Sequence, residues 1–240
     1  MRHYGIIGYP LDHSLSAKYF NRKFAEEKID AEYSLYPVAA DELERIKGYI
    51  DTLDGMNITF PYKQAVIPYL DRLDETAQII GAVNVVHQHI GYNTDCLGFM
   101  QALKPLLRPE DKRALVLGTG GASKAVCYGL RKLGIEPTLV SRTPKEGILG
   151  YADLNENILK EHTILVNCTP LGMFPDVETC PDIPYEYISA RHLLFDCVYN
   201  PEETLFLRKG RAQGAATHNG MEMLVGQAQA AWKIWNNESN

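Results

Sequence analysis

The stretch that most constrains the fold of this chain is Arg113-Ala-Leu-Val-Leu-Gly118-Thr-Gly-Gly-Ala-Ser-Lys-Ala125. An apolar run leads straight into glycines at 118, 120 and 121, and helix-forming residues follow to about Leu133. A short uninterrupted apolar run reads as a strand of a parallel sheet, buried on both faces. Glycines between strand and helix allow a tight turn. They also let a phosphate reach the backbone, where the N–H groups and dipole of the helix N-terminus receive it. Gly118 permits the turn, Gly120 or Gly121 the approach, and Ala125 close packing of helix on strand. Ser123 stands where the third glycine of G-x-G-x-x-G would fall, so the strand–turn–helix context carries the reading.

Gly134 ends the helix as a C-terminal glycine cap. A second strand, Glu136-Pro-Thr-Leu-Val-Ser, runs out at Ser141-Arg142-Thr143. An NAD site places an acidic residue near this point to hold the ribose hydroxyls. Here there is no Asp or Glu, and an arginine with two hydroxyls suits a 2′-phosphate, so the expected cofactor is NADP.

Further buried strands follow over about 163–168 and 193–198, then a helix over 202–213, a short strand near 215–217 and a last helix over 220–235. Upstream of the polar joint Pro109-Glu-Asp-Lys, the first half alternates in the same way. It reads as a strand over 3–9, a helix over 16–29 capped by Ser14 or Ser16, a strand over 32–38, a helix over 40–52 and two short strands within 82–92. Gly55-Met-Asn-Ile-Thr-Phe-Pro-Tyr-Lys63 alternates as a strand up to Phe60. Pro61 stops it and suits the first turn of a helix, which puts Lys63 at a strand-to-helix corner. Asn57 and Thr59, two apart, share one side of that strand. The whole is an α/β chain with two domains and mainly parallel sheets.

The net charge of −6 argues against a general nucleic-acid binder. No apolar run approaches the roughly 18 residues of a membrane span, and the N-terminus lacks a signal-peptide apolar region. The five cysteines (Cys96, Cys127, Cys168, Cys180, Cys197) are scattered and form no C-x-x-C pair. They read as reduced thiols in a cytoplasm, and neither they nor the histidines show metal-ligand spacing.

Several motifs together resemble shikimate dehydrogenases over nearly the whole chain. They are His13-Ser14-Leu15-Ser16, Asn57-Ile-Thr-Phe-Pro-Tyr-Lys63, Gly81-Ala-Val-Asn84, Asn93-Thr-Asp95, Gly118-Thr-Gly-Gly-Ala122 and Ser141-Arg-Thr143. Asn167-Cys-Thr-Pro-Leu-Gly-Met173, Asp196-Cys-Val-Tyr199-Asn-Pro201 and Gly220-Met-Glu-Met-Leu-Val-Gly-Gln227 continue the series. The resemblance implies a discontinuous substrate-binding catalytic domain, residues 1–100 plus 219–240, with a Rossmann-type NADP-binding domain, 101–218, inserted between its parts. It implies an active site in the cleft between domains and a small-molecule substrate, shikimate or 3-dehydroshikimate, in aromatic amino-acid (chorismate) biosynthesis. A monomer or homodimer is expected.

Residue by residue, the resemblance implies that Ser14 and Ser16 bind the substrate carboxylate. Asn57, Thr59, Asn84, Tyr199 and Gln227 reach the ring hydroxyls or carboxylate, and Lys63 and Asp95 form the catalytic pair. Gly118, Thr119, Gly120, Gly121 and Ala122 cradle the pyrophosphate, and Ser141, Arg142 and Thr143 hold the adenosine end. Thr169, Cys197 and Gly220 lie along the cofactor by backbone contact. The chain departs from the family's common residues at Ala17 (proline), Val85 (threonine), Thr119 (alanine) and Ser141 (asparagine), and is abbreviated after Thr143. An NAD-using quinate/shikimate dehydrogenase and a non-catalytic NADPH-binding regulator on the same fold are the competing readings.

Overall fold

The computed structural model describes residues 1–11 and 14–237, so His13 of the serine motif lies outside the described residues. The chain divides into two compact units, Met1–Thr94 with Gln227–Asn240, and Asp95–Gly226.

The first unit contains β1 (Arg2–Gly8), α1 (Leu15–Glu26), β2 (Ala31–Pro37), α2 (Ile46–Thr52), β3 (Gly55–Ile58), β4 (Arg72–Leu73), α3 (Glu75–Ile80), β5 (Val85–His87) and β6 (Ile90–Tyr92). Its sheet has the order β2-β1-β3-β5-β6-β4. β1 is parallel to both neighbours, but β5 is antiparallel to β3 and to β6. The sheet is therefore parallel-rich, as the sequence pattern predicts, with β5 as its antiparallel strand. The cause is local: Gln88 and His89 both take positive φ, and His87 pairs with Ile90. Two residues with positive φ make the tight hairpin turn whose twist matches the strands, and a link that short joins only antiparallel strands. On one face of the sheet Phe20 and Phe24 of α1 pack with Tyr4, Tyr33 and, from the C-terminal helix, Ala228, Ala231 and Trp235. On the other, Ile46 and Ile50 of α2 close over Ile7, Met56 and Ile58.

Two expected helices are shorter than the pattern suggested. Residues 40–45 form a 3₁₀ turn before α2, with Glu42 outside helical geometry. Between β3 and β4 there is no regular helix, only turns from Phe60 to Val66 and a 3₁₀ turn over Ile67–Tyr69; the helix of this stretch is α3, at Glu75–Ile80. Pro61 and Pro68 bracket this segment, and the second proline blocks continuation of a helix that the first could have started.

The second unit contains α4 (Asp95–Leu103), β7 (Arg113–Leu117), α5 (Gly121–Lys132), β8 (Glu136–Ser141), β9 (Ile148–Gly150), α6 (Glu156–Glu161), β10 (Ile164–Asn167), β11 (Leu193–Asp196), α7 (Leu205–Ala212) and β12 (Ala216–His218), and takes in the start of α8 (Met221–Trp235). All its strands are parallel, in the order β12-β11-β10-β7-β8-β9. Side chains alternate between two buried layers. Ala114, Val116, Ile164 and Val166 pack with Phe99, Val126 and Leu130, while Leu115, Leu117 and Leu165 pack with Leu159, Phe206 and Leu207. Coverage of both faces explains the uninterrupted apolar runs. The unit begins at Asp95 and reaches Gly226, where the family resemblance implies joints at 100/101 and 218/219 and the residues themselves a boundary near Pro109. Phe99, Ala102, Leu103 and Met223 all belong to its core.

Candidate functional site

In the first unit the polar residues singled out from sequence gather at the ends of β3 and β5. Asn57 is buried in β3. Its Oδ1 accepts the Tyr33 hydroxyl at 2.6 Å and its Nδ2 donates to the Asn84 carbonyl at 3.2 Å. Burial raises the Tyr33 phenol well above its ordinary value, so it stays a donor and fixes which end of the Asn57 amide it meets. Asn84 stands just before β5, opposite β3 through the pairing of Asn57 with Val85. Its Oδ1 accepts the Thr94 N–H at 2.7 Å, and its Nδ2 donates to Thr94 Oγ1 at 3.0 Å and to Gln227 Oε1 at 3.3 Å. Asn57, Asn84 and Gln227 thus form one buried hydrogen-bonded group. Tyr33 and Thr94 complete it, and the sequence reading had assigned neither a role. Thr94 lies inside the Asn93-Thr-Asp95 motif; Tyr33 carries no local signal beyond strand alternation.

Lys63 is half-buried in the turn after β3. Tyr62, next to it, donates its hydroxyl to the Val38 carbonyl at 2.5 Å, and the Lys63 carbonyl accepts the Val83 N–H at 2.7 Å. The Tyr62 ring and the Lys63 main chain are therefore both anchored, and Val83 ties the turn to the segment that carries Asn84. Thr59 lies just beyond β3, its N–H bonded to the Ile7 carbonyl at 2.9 Å. Of the two serines, Ser14 is the cap of α1, accepting the Ala17 N–H at 3.4 Å, and Ser16 is buried within the helix. Asp95 is the next residue after Thr94; it opens α4 in the second unit and is buried.

In the second unit the register aligns Val140, Leu117, Asn167 and Asp196 in one row at the carboxyl ends of β8, β7, β10 and β11. The strand order reverses between β7 and β10, and ligands of open parallel sheets bind outside the strand ends at such a switch point. Gly118 lies there with φ +107°, a conformation that glycine adopts without strain. A Cβ on it would come within 3.2 Å of Thr169 Cγ2, so the loop after β10 closes on the glycine turn. Gly120 is the N-cap of α5 and supplies no side-chain cap, no acidic residue stands in the first turn, and a Cβ on Gly120 would meet nothing within 4 Å. Helix N–H groups without a side-chain cap, beside open space at a glycine, fit a pyrophosphate. Thr119 is exposed and Ala122 half-buried at the same turn.

At the end of β8, Ser141 Oγ accepts the Thr143 N–H at 3.2 Å. Arg142 is exposed and enters no salt bridge among the described residues. Its guanidinium is thus placed to meet an added anion. Beyond β11, Cys197 donates its N–H to the Asn167 carbonyl at 2.9 Å, and Gly220 donates to the Val198 carbonyl at 3.1 Å. A Cβ on Gly220 would stand 2.3 Å from the Cys197 carbonyl oxygen, so the two backbones meet closely because residue 220 lacks a side chain. Tyr199 is half-buried, and desolvation raises its phenol above the ordinary value.

Residues 6–86 match the family described as shikimate dehydrogenase substrate binding domain. The chain is 40% identical over 249 residues to a Clostridium beijerinckii protein named shikimate dehydrogenase (NADP(+)), covering 98% of this chain and 92% of that one. Its fold is similar to the crystal structure of shikimate 5-dehydrogenase from Thermus thermophilus in complex with NADP(H) and shikimate. That likeness has a TM-score of 0.87 at 32% identity and covers 99% and 94% of the two chains. A Listeria monocytogenes shikimate 5-dehydrogenase in complex with shikimate and NAD is also similar, with a TM-score of 0.84 at 28% identity, covering 100% and 93%. With identity of this order along almost its whole length, the chain belongs to the shikimate dehydrogenase family.

Proposed function

We propose that this protein is an NADP-dependent shikimate dehydrogenase, interconverting 3-dehydroshikimate and shikimate by reversible hydride transfer in aromatic amino-acid biosynthesis. The observation that carries the reading is the buried amide group Asn57–Asn84–Gln227 beside the pinned turn of Lys63. Buried side-chain amides are costly unless bonded. Several converging beside an amine suit the recognition of a polyhydroxylated ring and the movement of one of its protons. The first unit is then the substrate-binding domain and the second the dinucleotide-binding domain. The cysteines are thiols rather than disulfides, which fits work in a reducing cytoplasm.

NADP, when bound, supplies or accepts the hydride. The chain's own residues do the rest. Lys63 stabilises negative charge developing on the substrate oxygen and gives it a proton; in the oxidative direction its neutral amine takes that proton back. Asp95 orients the amine and hydrogen-bonds a neighbouring hydroxyl. Ser14 and Ser16 hold the substrate carboxylate, and Asn57, Thr59, Asn84, Tyr199 and Gln227 the hydroxyls. Gly118 to Ala122 receive the pyrophosphate, and Ser141, Arg142 and Thr143 the adenosine 2′-phosphate end. Thr169, Cys197 and Gly220 line the nicotinamide end.

Replacement of Lys63 by Ala tests this assignment. Turnover of shikimate should fall by about 100- to 10,000-fold, the usual worth of a positioned acid–base group, with NADP affinity retained. Near-normal turnover would remove Lys63 from the chemistry.

A further inference from the structure

Asp196 has no role in the scheme above, yet it is wholly buried, with 0% exposure. It ends β11 and sits in a dense set of donors. Oδ1 accepts the Asn167 Nδ2–H and the Val198 N–H, each at 2.9 Å, and Oδ2 accepts the Thr204 hydroxyl at 2.6 Å. Asn167 passes the order on. Its Oδ1 accepts the Thr169 N–H at 3.0 Å and the Thr169 hydroxyl at 2.7 Å, and Thr169 Oγ1 accepts the Leu171 N–H at 3.3 Å. One carboxyl therefore governs two loops: 168–172, which closes on Gly118, and 197–204, whose Cys197 backbone packs on Gly220.

The chemistry gives this chain of bonds a direction. An amide is ambiguous, since its oxygen and nitrogen have nearly the same shape. Oδ1 of Asp196 accepts only, so it selects the NH₂ end of Asn167 and leaves the oxygen to bind Thr169. Burial raises the Asp196 carboxyl to about 7, and a proton on Oδ2 is accommodated by rotation of the Thr204 hydroxyl. Oδ1 remains an acceptor in both states, so the orientation of Asn167 does not depend on titration.

We propose that Asp196 is a positioning residue for the nicotinamide end of the cofactor site, holding Thr169 through Asn167 and Cys197 through Val198. This rests on the reading of the second unit as the nucleotide domain. Asp196, with no exposed surface, acts through the residues it holds. It holds the backbone on both sides of the β10–β11 strand ends, while the adenosine end at Arg142 lies on the far side of β7, along β8.

The full-length protein is titrated with NADPH and, separately, with 2′,5′-ADP, a probe of the adenosine end alone. For Asp196→Ala the NADPH dissociation constant should rise about tenfold or more, while that of 2′,5′-ADP stays within about twofold. Asp196→Asn, whose amide can face its oxygen to Asn167 and Val198 and its nitrogen to Thr204, should restore NADPH binding. Asn167→Ala breaks the relay while leaving Thr204 and Val198 on Asp196. It should show the same selective loss and keeps the test open if Asp196→Ala does not fold. Unchanged NADPH binding in the Ala variants, or equal loss of both ligands, overturns the proposal. A wild-type protein that binds neither ligand overturns instead the nucleotide reading beneath it.

Discussion

Gly120 offers a clean separation of folding from ligand binding. Its backbone, at φ −81° and ψ −171°, is extended and open to any residue, and a Cβ there would meet nothing within 4 Å. Gly120→Ala should therefore fold normally. Alanine is a poorer N-cap than glycine, which costs about 0.5–1 kcal/mol, and reduced freedom in the unfolded chain offsets about 0.4–1 kcal/mol. The net change in unfolding free energy is close to zero. The added methyl nevertheless stands where a pyrophosphate must come down on the N–H groups of α5. Losing one charge-assisted hydrogen bond, at about 1.5–3 kcal/mol, weakens binding by about 10- to 150-fold. Urea unfolding and NADPH fluorescence titration read the two quantities on the same preparation. An alanine variant with wild-type stability and wild-type NADPH affinity would refute the assignment of the α5 N-terminus as the phosphate seat.

Replacement of Arg142 by Ala should raise the KM for NADP by about 10- to 100-fold and leave the KM for NAD nearly unchanged, since only the 2′-phosphate is lost as a partner; equal effects on both cofactors would remove Arg142 from that role. Tyr33→Phe leaves the buried Asn57 Oδ1 without its donor, so stability should fall by about 1–3 kcal/mol and the KM for shikimate should rise several-fold; in an Asn57→Ala background the KM effect should vanish, and persistence there would exclude this route. Asp196 makes stability depend on pH. Its folded value of about 7 lies above the carboxylate's ordinary 3.8, so the neutral form's contribution is complete below about pH 4 and is lost as pH rises through 7. Relative to Asp196→Asn, the wild type should lose up to about 4 kcal/mol between pH 4 and 8 by urea unfolding, and parallel pH profiles would show the carboxyl to be ionised throughout.

How much of this was legible in sequence depends on how local each cause is. The β7–turn–α5 unit was readable because an apolar run, closely spaced glycines and a helix pattern lie side by side in the chain. α8 was readable for the same reason: one face of period 3.6 over fifteen residues. β4, with two residues, and β9, with three, are too short to show any period, and their existence depends on neighbours supplied by the fold. The turn at Lys63 looked like a helix start because Pro61 favours one, and the counterweight, Pro68, lies further along the chain. The antiparallel β5–β6 hairpin escaped because Gln88 and His89 take positive φ without being glycine or asparagine, the usual sign of such a turn.

The polar groups divide in the same way. Asn57 is legible because it shares one side of a strand with Thr59, two residues on; Asn84 and Gln227 are reached only through the family resemblance. Which partner each one binds was hidden, because the Asn84–Gln227 bond spans 143 residues. Tyr33 reads as an ordinary strand aromatic, and its hydroxyl gains meaning only when β2 and β3 flank β1 in one sheet. Asp196 reads as the polar end of the strand Leu193–Asp196. Only the parallel register that sets Asn167 beside it shows a carboxyl organising two loops.

The most direct measurement is the initial rate of reduced-nicotinamide formation by the purified wild-type protein, with shikimate and with quinate, each paired with NADP and with NAD. The account predicts fast reduction of NADP by shikimate and much slower rates in the other three combinations. Tight NADPH binding with no turnover of shikimate, or a preference for NAD with quinate, would contradict it.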